Sequence, residues 1–385
     1  MSFSKVPEVS PTPFPETFDD ASSPIRQKAG ENGEAPRPPN PLDWSKAMPA
    51  RLVMPRGGET IISNDVNEVS FVEAQEGVKA SVADDGRDPR EPEIFDVLRQ
   101  SKSKPISPAV RALAEEITAG CTNEVGRARA IYDWITSNIV YDSVEWENLV
   151  HGAKDYTHEH DPESVLERGT TVCIGYAWLF DDLCEAAGVA ATWLIGDVRG
   201  YRGTPDEELT SKFRHAWNAV KLDDGEWHLL DATWGATQGA DLARTDYYFD
   251  TPAEQFVFDH MPESNDWQLL PEPLPPDRAF KSLPNLKPSF FTDGLKLGGK
   301  YGNTRGAKAN ATSQMALQAP PGVYVAAAIG NGDGNFTQVR TVSNGKGVFR
   351  VLVPGMASGQ YILQIYSGRN PERLSCSADF AIRFE

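Results

Sequence analysis

The apolar positions change period along the chain, and the changes mark its elements. Val110, Leu113 and Ile117 fall on one helical face behind Ser107-Pro108, a pair suited to a helix start, and Gly120 marks the stop. After Asn123, the spacing of Val125, Ala128, Ile131, Trp134 and Ile135 predicts a second helix, with Tyr141-Asp142 beyond its end. Both stripes read as core. From Thr171 the pattern predicts a loop, a helix from Cys173 to about Ala187, a stop at Gly188 and an apolar strand over 190–195. A loop of about twenty residues follows. Two strand-like runs, 215–222 and 226–231, then flank Asp223-Asp224-Gly225. Beyond about 289 the texture becomes short alternating runs (322–329, 337–342, 347–353, 361–366 and 380–384) separated by Gly, Asn and Pro, which predicts an Ig-like β-sandwich.

The remaining segments are polar. Residues 1–45 are rich in Pro, Ser, Glu and Asp and bury too little to offset their ordering entropy, so a disordered tail is expected. Residues 46–106 carry only short apolar patches, such as Leu52-Val53-Met54 and Ile61-Ile62. They are read as an ambiguous lead-in that packs along the next domain or binds elsewhere. Residues 271–288, with PEPLPPD and two further prolines, read as a surface linker. The stretch from Glu145 to Pro162 contains HGAKDYTHEHD. His151, His158 and His160 there match no metal-ligand spacing, and a solvated loop near the cleft is expected, with no metal and no cofactor. The expected organisation is α+β: a folded domain over 107–270, the linker, and a β-domain over 289–385.

Charge and cysteine usage narrow the partners. Among 385 residues, 55 acidic and 37 basic side chains leave a net charge of −18, which disfavours nucleic acid and anionic lipid. Against this, residues 300–370 carry a net +6, so docking of the β-domain on the acidic remainder of the chain or on an acidic partner is one expectation and plain solvated surface the other. Cys121, Cys173, Cys184 and Cys376 are too scattered for a disulfide framework, and none lies in a CxxC pair. No apolar run approaches a membrane span, and the first residues lack a secretory apolar region. A cytoplasmic chain is expected, with signal-less export left open.

Cys173 stands apart from the other thiols. It opens a helix, where the unpaired N–H groups and the positive dipole end favour thiolate and also offer donors to an oxyanion. Cys184 lies within that helix and Cys121 follows a helix stop; both read as structural. If Asp223-Asp224-Gly225 is a hairpin loop, residue 222 pairs with 226 and His215 falls opposite Thr233. Asp231 is then a diagonal neighbour on the same face, placed to orient the ring while its other nitrogen faces Cys173. His228 falls on the opposite face by the same parity.

The strings Thr171-Val-Cys-Ile-Gly-Tyr-Ala177, His215-Ala-Trp-Asn-Ala-Val220 and Leu229-Leu-Asp-Ala-Thr-Trp-Gly235 resemble the three catalytic blocks of the transglutaminase-like superfamily. Ile131-Tyr-Asp-Trp-Ile135 is similar to that superfamily's entry helix. Tyr247-Tyr-Phe-Asp-Thr-Pro-Ala-Glu-Gln255, Asp259-His-Met-Pro262 and Trp267-Gln-Leu-Leu270 resemble the kyphoscoliosis-peptidase branch, in which a β-sandwich commonly follows. The resemblance covers about 107–385 and implies a papain-like core. It implies Cys173 as nucleophile, His215 as general base and acid, and Asp231 as orienting carboxylate, acting on protein or peptide substrates. The second oxyanion donor is not fixed by the motifs; Tyr141 and Trp146 are candidates. The acyl acceptor stays open: water gives a peptidase or a deamidase, and a lysine amine gives a crosslinking transglutaminase. A scaffold that only binds is the third reading.

Overall fold

A computed structural model describes residues 61–62, 105–151, 159–199, 212–236, 245–275, 283–299, 304–331 and 336–385. The expected disordered tail over 1–45 and nearly all of the lead-in over 46–106 lie outside these residues. From the lead-in, Ile61–Ile62 (β1) pairs in parallel with Val342 and Ser343.

Pro108–Ile117 (α1) and Glu124–Asn138 (α2) begin where their caps predict. Ser107 Oγ accepts from Val110 N at 3.3 Å, and Asn123 Oδ1 accepts from Gly126 N at 2.9 Å. Helix α1 ends at Ile117, short of Gly120, which takes the left-handed φ of 89° in the turn that follows. Val140–Tyr141 (β2), Ser143–His151 (α3), Pro162–Arg168 (α4), Thr170–Thr171 (β3) and Cys173–Ala186 (α5) come next, with β2 and β3 paired in parallel. The expected solvated loop over 145–162 is therefore corrected in part. Its first residues form α3, and both Glu145 and His160 are buried. Trp146 and Leu149 supply the packed apolar positions that the polar letters around them obscure.

Helix α5 lies on a four-stranded antiparallel sheet of Ala191–Arg199 (β4), Lys212–Lys221 (β5), Trp227–Leu230 (β6) and His260–Pro262 (β7), in the order β6-β5-β4-β7. Between β6 and β7 stand two short helices, Ala232–Gly235 (α6) and Ala253–Phe256 (α7). The β5–β6 register is the one predicted, with Lys221 opposite Trp227 and Asn218 opposite Leu230. Gly225 takes φ 82° in the hairpin loop. Asp223 in that loop accepts from Glu124 N and Val125 N, both at 3.0 Å, so the hairpin also caps α2. Ile131, Ile135, Tyr176, Leu179, Phe180, Leu183, Val220 and Leu230 form one core between helices and sheet.

Glycine is required at 196, in the middle of β4. A Cβ there would overlap the Met261 carbonyl oxygen and meet the Trp217 ring and Pro262 Cα, because the paired strand β7 runs close beside it. Gly196→Ala is expected to lower stability by about 3 kcal/mol through overpacking. Denaturant midpoints at constant slope check this.

The C-terminal part is a β-domain. It comprises Asn285–Leu286 (β8), Pro288–Thr292 (α8), Lys296–Leu297 (β9), Thr304–Ala307 (β10), Ser313–Gln318 (β11), Tyr324–Gly330 (β12), Phe336–Ser343 (β13), Val348–Val353 (β14), Gly359–Asn370 (β15) and Arg373–Phe384 (β16). Strand β13 changes partners midway: its first residues pair with β12 and its last with β14. The sheet thereby folds over. Met315, Leu317, Val351 and Val353 on one arm meet Ala327, Ile329, Leu363, Ile365 and Phe380 on the other in a single core. The surface linker expected over 271–288 is corrected at its end. Asn285 and Leu286 are buried and pair with Asp379 and Ala378, because Leu286 joins the β-domain core. No helix among the described residues is long and apolar enough to cross a membrane.

Candidate functional site

Two contacts fix helix α5 at its N-terminal end. The Asn218 side-chain amide on β5 donates to Ala177 O at 2.9 Å, and the Tyr176 hydroxyl donates to Ile139 O at 2.8 Å. Cys173 is the first residue of α5 and only 2% exposed. Its N-cap, Val172, is extended (φ −93°, ψ 177°) and makes no side-chain capping bond. Gly175 N donates to Val172 O at 3.0 Å, but no side chain caps the helix, so its first N–H groups remain suited to an anion. Tyr141 and Trp146, the two candidates for a further oxyanion donor, both pack on the apolar cluster that holds Cys173. Burial, then Cys173, keeps the Tyr141 phenol well above its usual range, so it stays an O–H donor.

His215 lies on β5 opposite Gly196 and is 4% exposed. Its Nε2 is 2.8 Å from Asp231 Oδ2. Cys173 is within hydrogen-bonding reach of the same ring, and Nδ1 is the nitrogen left for it. Burial opposes charge on the ring, but Asp231, then Cys173, outweigh it and push His215 up to about 10. The sequence-predicted Cys173, His215 and Asp231 thus come together.

The route by which Asp231 arrives differs from the one expected. Strand pairing stops at Asn218 and Leu230, so Thr233 never stands opposite His215. Asp231 instead leaves the sheet and caps α6. Its Oδ1 accepts from Thr233 N at 2.8 Å and Trp234 N at 3.0 Å, which turns Oδ2 toward the histidine. His228 lies on the far face, between Asp224 at 3.1 Å and Asp250 at 2.6 Å.

His260 on β7 also reaches this carboxylate. Its Nε2 is 3.1 Å from Asp231 Oδ2, and its Nδ1 is 2.6 Å from Asp259 Oδ1. The Tyr248 hydroxyl donates to Asp259 Oδ2 at 3.0 Å. Arg199 at the end of β4 continues the line. Its N–H donates to Asp259 O at 2.9 Å, and its guanidinium donates to Leu283 O at 3.1 Å. Burial pulls Arg199 down to about 10 against the opposing pull of Asp259 and of Asp379 in the β-domain. Asp379 in turn pairs with Lys287 at 2.8 Å and accepts from Asn285 at 3.2 Å. Residue 260 stands 29 positions beyond Asp231, out of range of any hairpin parity. Its only sequence signal is the string Asp259-His-Met-Pro262.

His215, Asp231 and His260 are also the group with metal-ligand chemistry among the described residues, their nearest donor atoms lying within 4.8 Å of one another. The separations are those of direct N–H···O bonds. A carboxylate oxygen has no proton to give, so both Nε2 atoms carry the hydrogen and neither offers a lone pair to an ion. A second buried pair lies under the loop before Cys173. His160 Nε2 is 3.6 Å from Glu145 Oε1, and His160 Nδ1 is 3.5 Å from Thr171 Oγ1. Burial, then Asp142, pushes the Glu145 carboxyl up to about 7. The polarity of 145–162 concealed this pair, while the side chains of His151 and His158 lie outside the described residues.

Comparison with known proteins agrees with these features. The family model of the Transglutaminase-like superfamily matches residues 111–232, which contain Cys173, His215 and Asp231 but not His260. Mouse (Mus musculus) kyphoscoliosis peptidase is 31% identical over 210 residues, covering 52% of this chain and 30% of that protein. Lim and transglutaminase domain protein ltd-1 of Caenorhabditis elegans is 29% identical over 227 residues, covering 54% of this chain and 30% of that protein. The chain thus spans about a third of the length of these relatives. Among solved structures, a putative cysteine protease from Cytophaga hutchinsonii is 21% identical, covers 37% of this chain and 42% of its own, and has a TM-score of 0.25. By the matched segment and these relatives, residues 111–232 of the chain carry a domain similar to the transglutaminase-like superfamily.

Proposed function

We propose that the chain is a cysteine-dependent acyl-transfer enzyme on protein or peptide substrates, with hydrolysis as its main outcome. Cys173 Sγ attacks the acyl carbonyl, and the N–H groups at the start of α5 receive the developing oxyanion. His215 moves the proton from the thiol to the leaving amine and then takes one from the incoming acceptor. Asp231 holds the ring in register and offsets its positive charge. The observation that carries this reading is the buried line from Asp231 through His215 Nε2 to the thiol at a helix start. No cofactor enters any step.

The preference for water over an amine rests on the likeness to proteins named as peptidases. The β-domain is read as an Ig-like sandwich that presents the basic stretch 300–370 to an acidic partner, and the chain as cytoplasmic. A casein-like protein incubated with a labelled primary amine separates the chemistries, with Cys173→Ala as control. Peptide fragments that depend on Cys173 are expected. Amine incorporation without fragments would make the chain a crosslinking enzyme, and ammonia release alone a deamidase. No Cys173-dependent change on any acceptor would leave a scaffold.

A further inference from the structure

We propose that His260 is the positioning residue of this site: an imidazole that stays protonated, clamped between Asp259 and Asp231, and that fixes the carboxylate on which His215 depends. The inference rests on the reading of Cys173, His215 and Asp231 as the acyl-transfer centre.

The hydrogen-bond inventory requires it. Asp231 and Asp259 are acceptors, and each faces a different nitrogen of one ring, at 3.1 and 2.6 Å. Both nitrogens must therefore carry hydrogen, which makes the ring an imidazolium. Its surroundings suit a fixed cation. His260 is 1% exposed, stacks on Phe256 with ring centroids 4.0 Å apart, and meets the Trp234 ring edge-on at 4.6 Å. The ionisable groups facing it are Asp259, Asp231, Tyr248 and His215, with Arg199 behind Asp259. Burial opposes the charge, and Asp259, then Asp231, raise His260 above its ordinary value.

Two effects on the centre follow. Asp231 Oδ2 is held from two sides, while its Oδ1 is held by the start of α6, so the carboxylate cannot rotate away from His215. The positive ring, 5.9 Å from His215 between centroids, also offsets part of the charge on Asp231. His215 then releases its proton to a leaving amine more readily than it would beside an unshared carboxylate.

The test does not depend on the natural substrate. In protein carrying 15N-labelled histidine, His260 is expected to show both ring N–H signals unchanged from pH 6 to 9. A ring that loses one of them in that range overturns the proposal. The second arm follows the rate of Cys173 alkylation by iodoacetate at pH 7. His260→Leu removes the donor to Asp231 and is expected to slow alkylation by about 10- to 100-fold. His260→Gln keeps a donor and is expected to recover most of that rate. Equal losses in both variants, in proportion to their melting temperatures, would reduce His260 to a packing role and overturn the proposal. So would one equivalent of zinc in the purified protein that His260→Gln removes. If His260→Leu does not fold, the ring signals and His260→Gln against the unaltered protein decide. Wild-type Cys173 that reacts no faster than Cys121 would defeat the acyl-transfer reading itself, and the ring signals would still decide the protonation of His260.

Discussion

Cys173→Ala is expected to remove acyl transfer to background, a loss of about 10⁴-fold or more in kcat/KM, with little change in fold. The loss is large because the thiol is the only group in the proposed mechanism that forms a bond to the acyl carbon. The fold should survive because Cys173 heads α5 and its cluster, with Ile174, Ala177, Trp178, Ile195 and Ala216, is apolar. Removing one buried sulfur there costs about 1 kcal/mol. Cys173→Ser is expected to be nearly as inactive, since a hydroxyl beside His215 is far harder to ionise than a thiol. Both variants should keep the far-UV spectrum and the denaturant slope of the parent. Activity that persists in Cys173→Ala would end the nucleophile assignment.

Asp231 carries the second large effect, and it divides between stability and rate. Its two oxygens accept two backbone N–H groups and two imidazoles in a fully buried position. Asp231→Ala leaves two buried rings facing an apolar side chain and an uncapped α6, and about 3–5 kcal/mol of stability should go. Asp231→Asn preserves the shape but presents an amide that need not accept from His215. The rate should then fall about 10³- to 10⁴-fold. The pH dependence of stability has a definite sign. Burial would raise the Asp231 carboxyl, but His215 and His260 hold it well below its ordinary 3.8. A depressed carboxyl contributes stability that is present above the ordinary value and is lost as pH falls through the folded one. Denaturant midpoints of the parent should therefore drop below about pH 4, and that acid-side loss should shrink in Asp231→Asn. An acid limb of the same size in both proteins would place the titration elsewhere.

Much of this site was legible in the sequence where chemistry follows local rules. The start of α5 at Cys173 and the caps Ser107 and Asn123 are set by residues within one turn, and the hairpin register by the glycine at 225. Parity from that register also put His228 outside the site. The approach of Asp231 was inferred for a reason that the fold does not use. The strand stops one residue before it, and capping geometry, not cross-strand packing, aims the carboxylate. His260 and the Glu145–His160 pair were harder to see because their partners are distant in sequence or sit among polar residues. Such contacts are decided by tertiary closure, which no local period records.

The buried Arg199 feels acids from both halves of the molecule: Asp259 behind the candidate site and Asp379 in the β-domain. The two halves are therefore not interchangeable parts. A recombination that replaced the C-terminal sheet with one lacking an acid at the position of Asp379 would remove one of the negative charges that act on the buried Arg199. The imbalance would fall on Asp259, which His260 touches. Shuffled descendants of such a chain would have to inherit residues 199 and 379 together, a linkage to look for when relatives with different C-terminal sheets are compared.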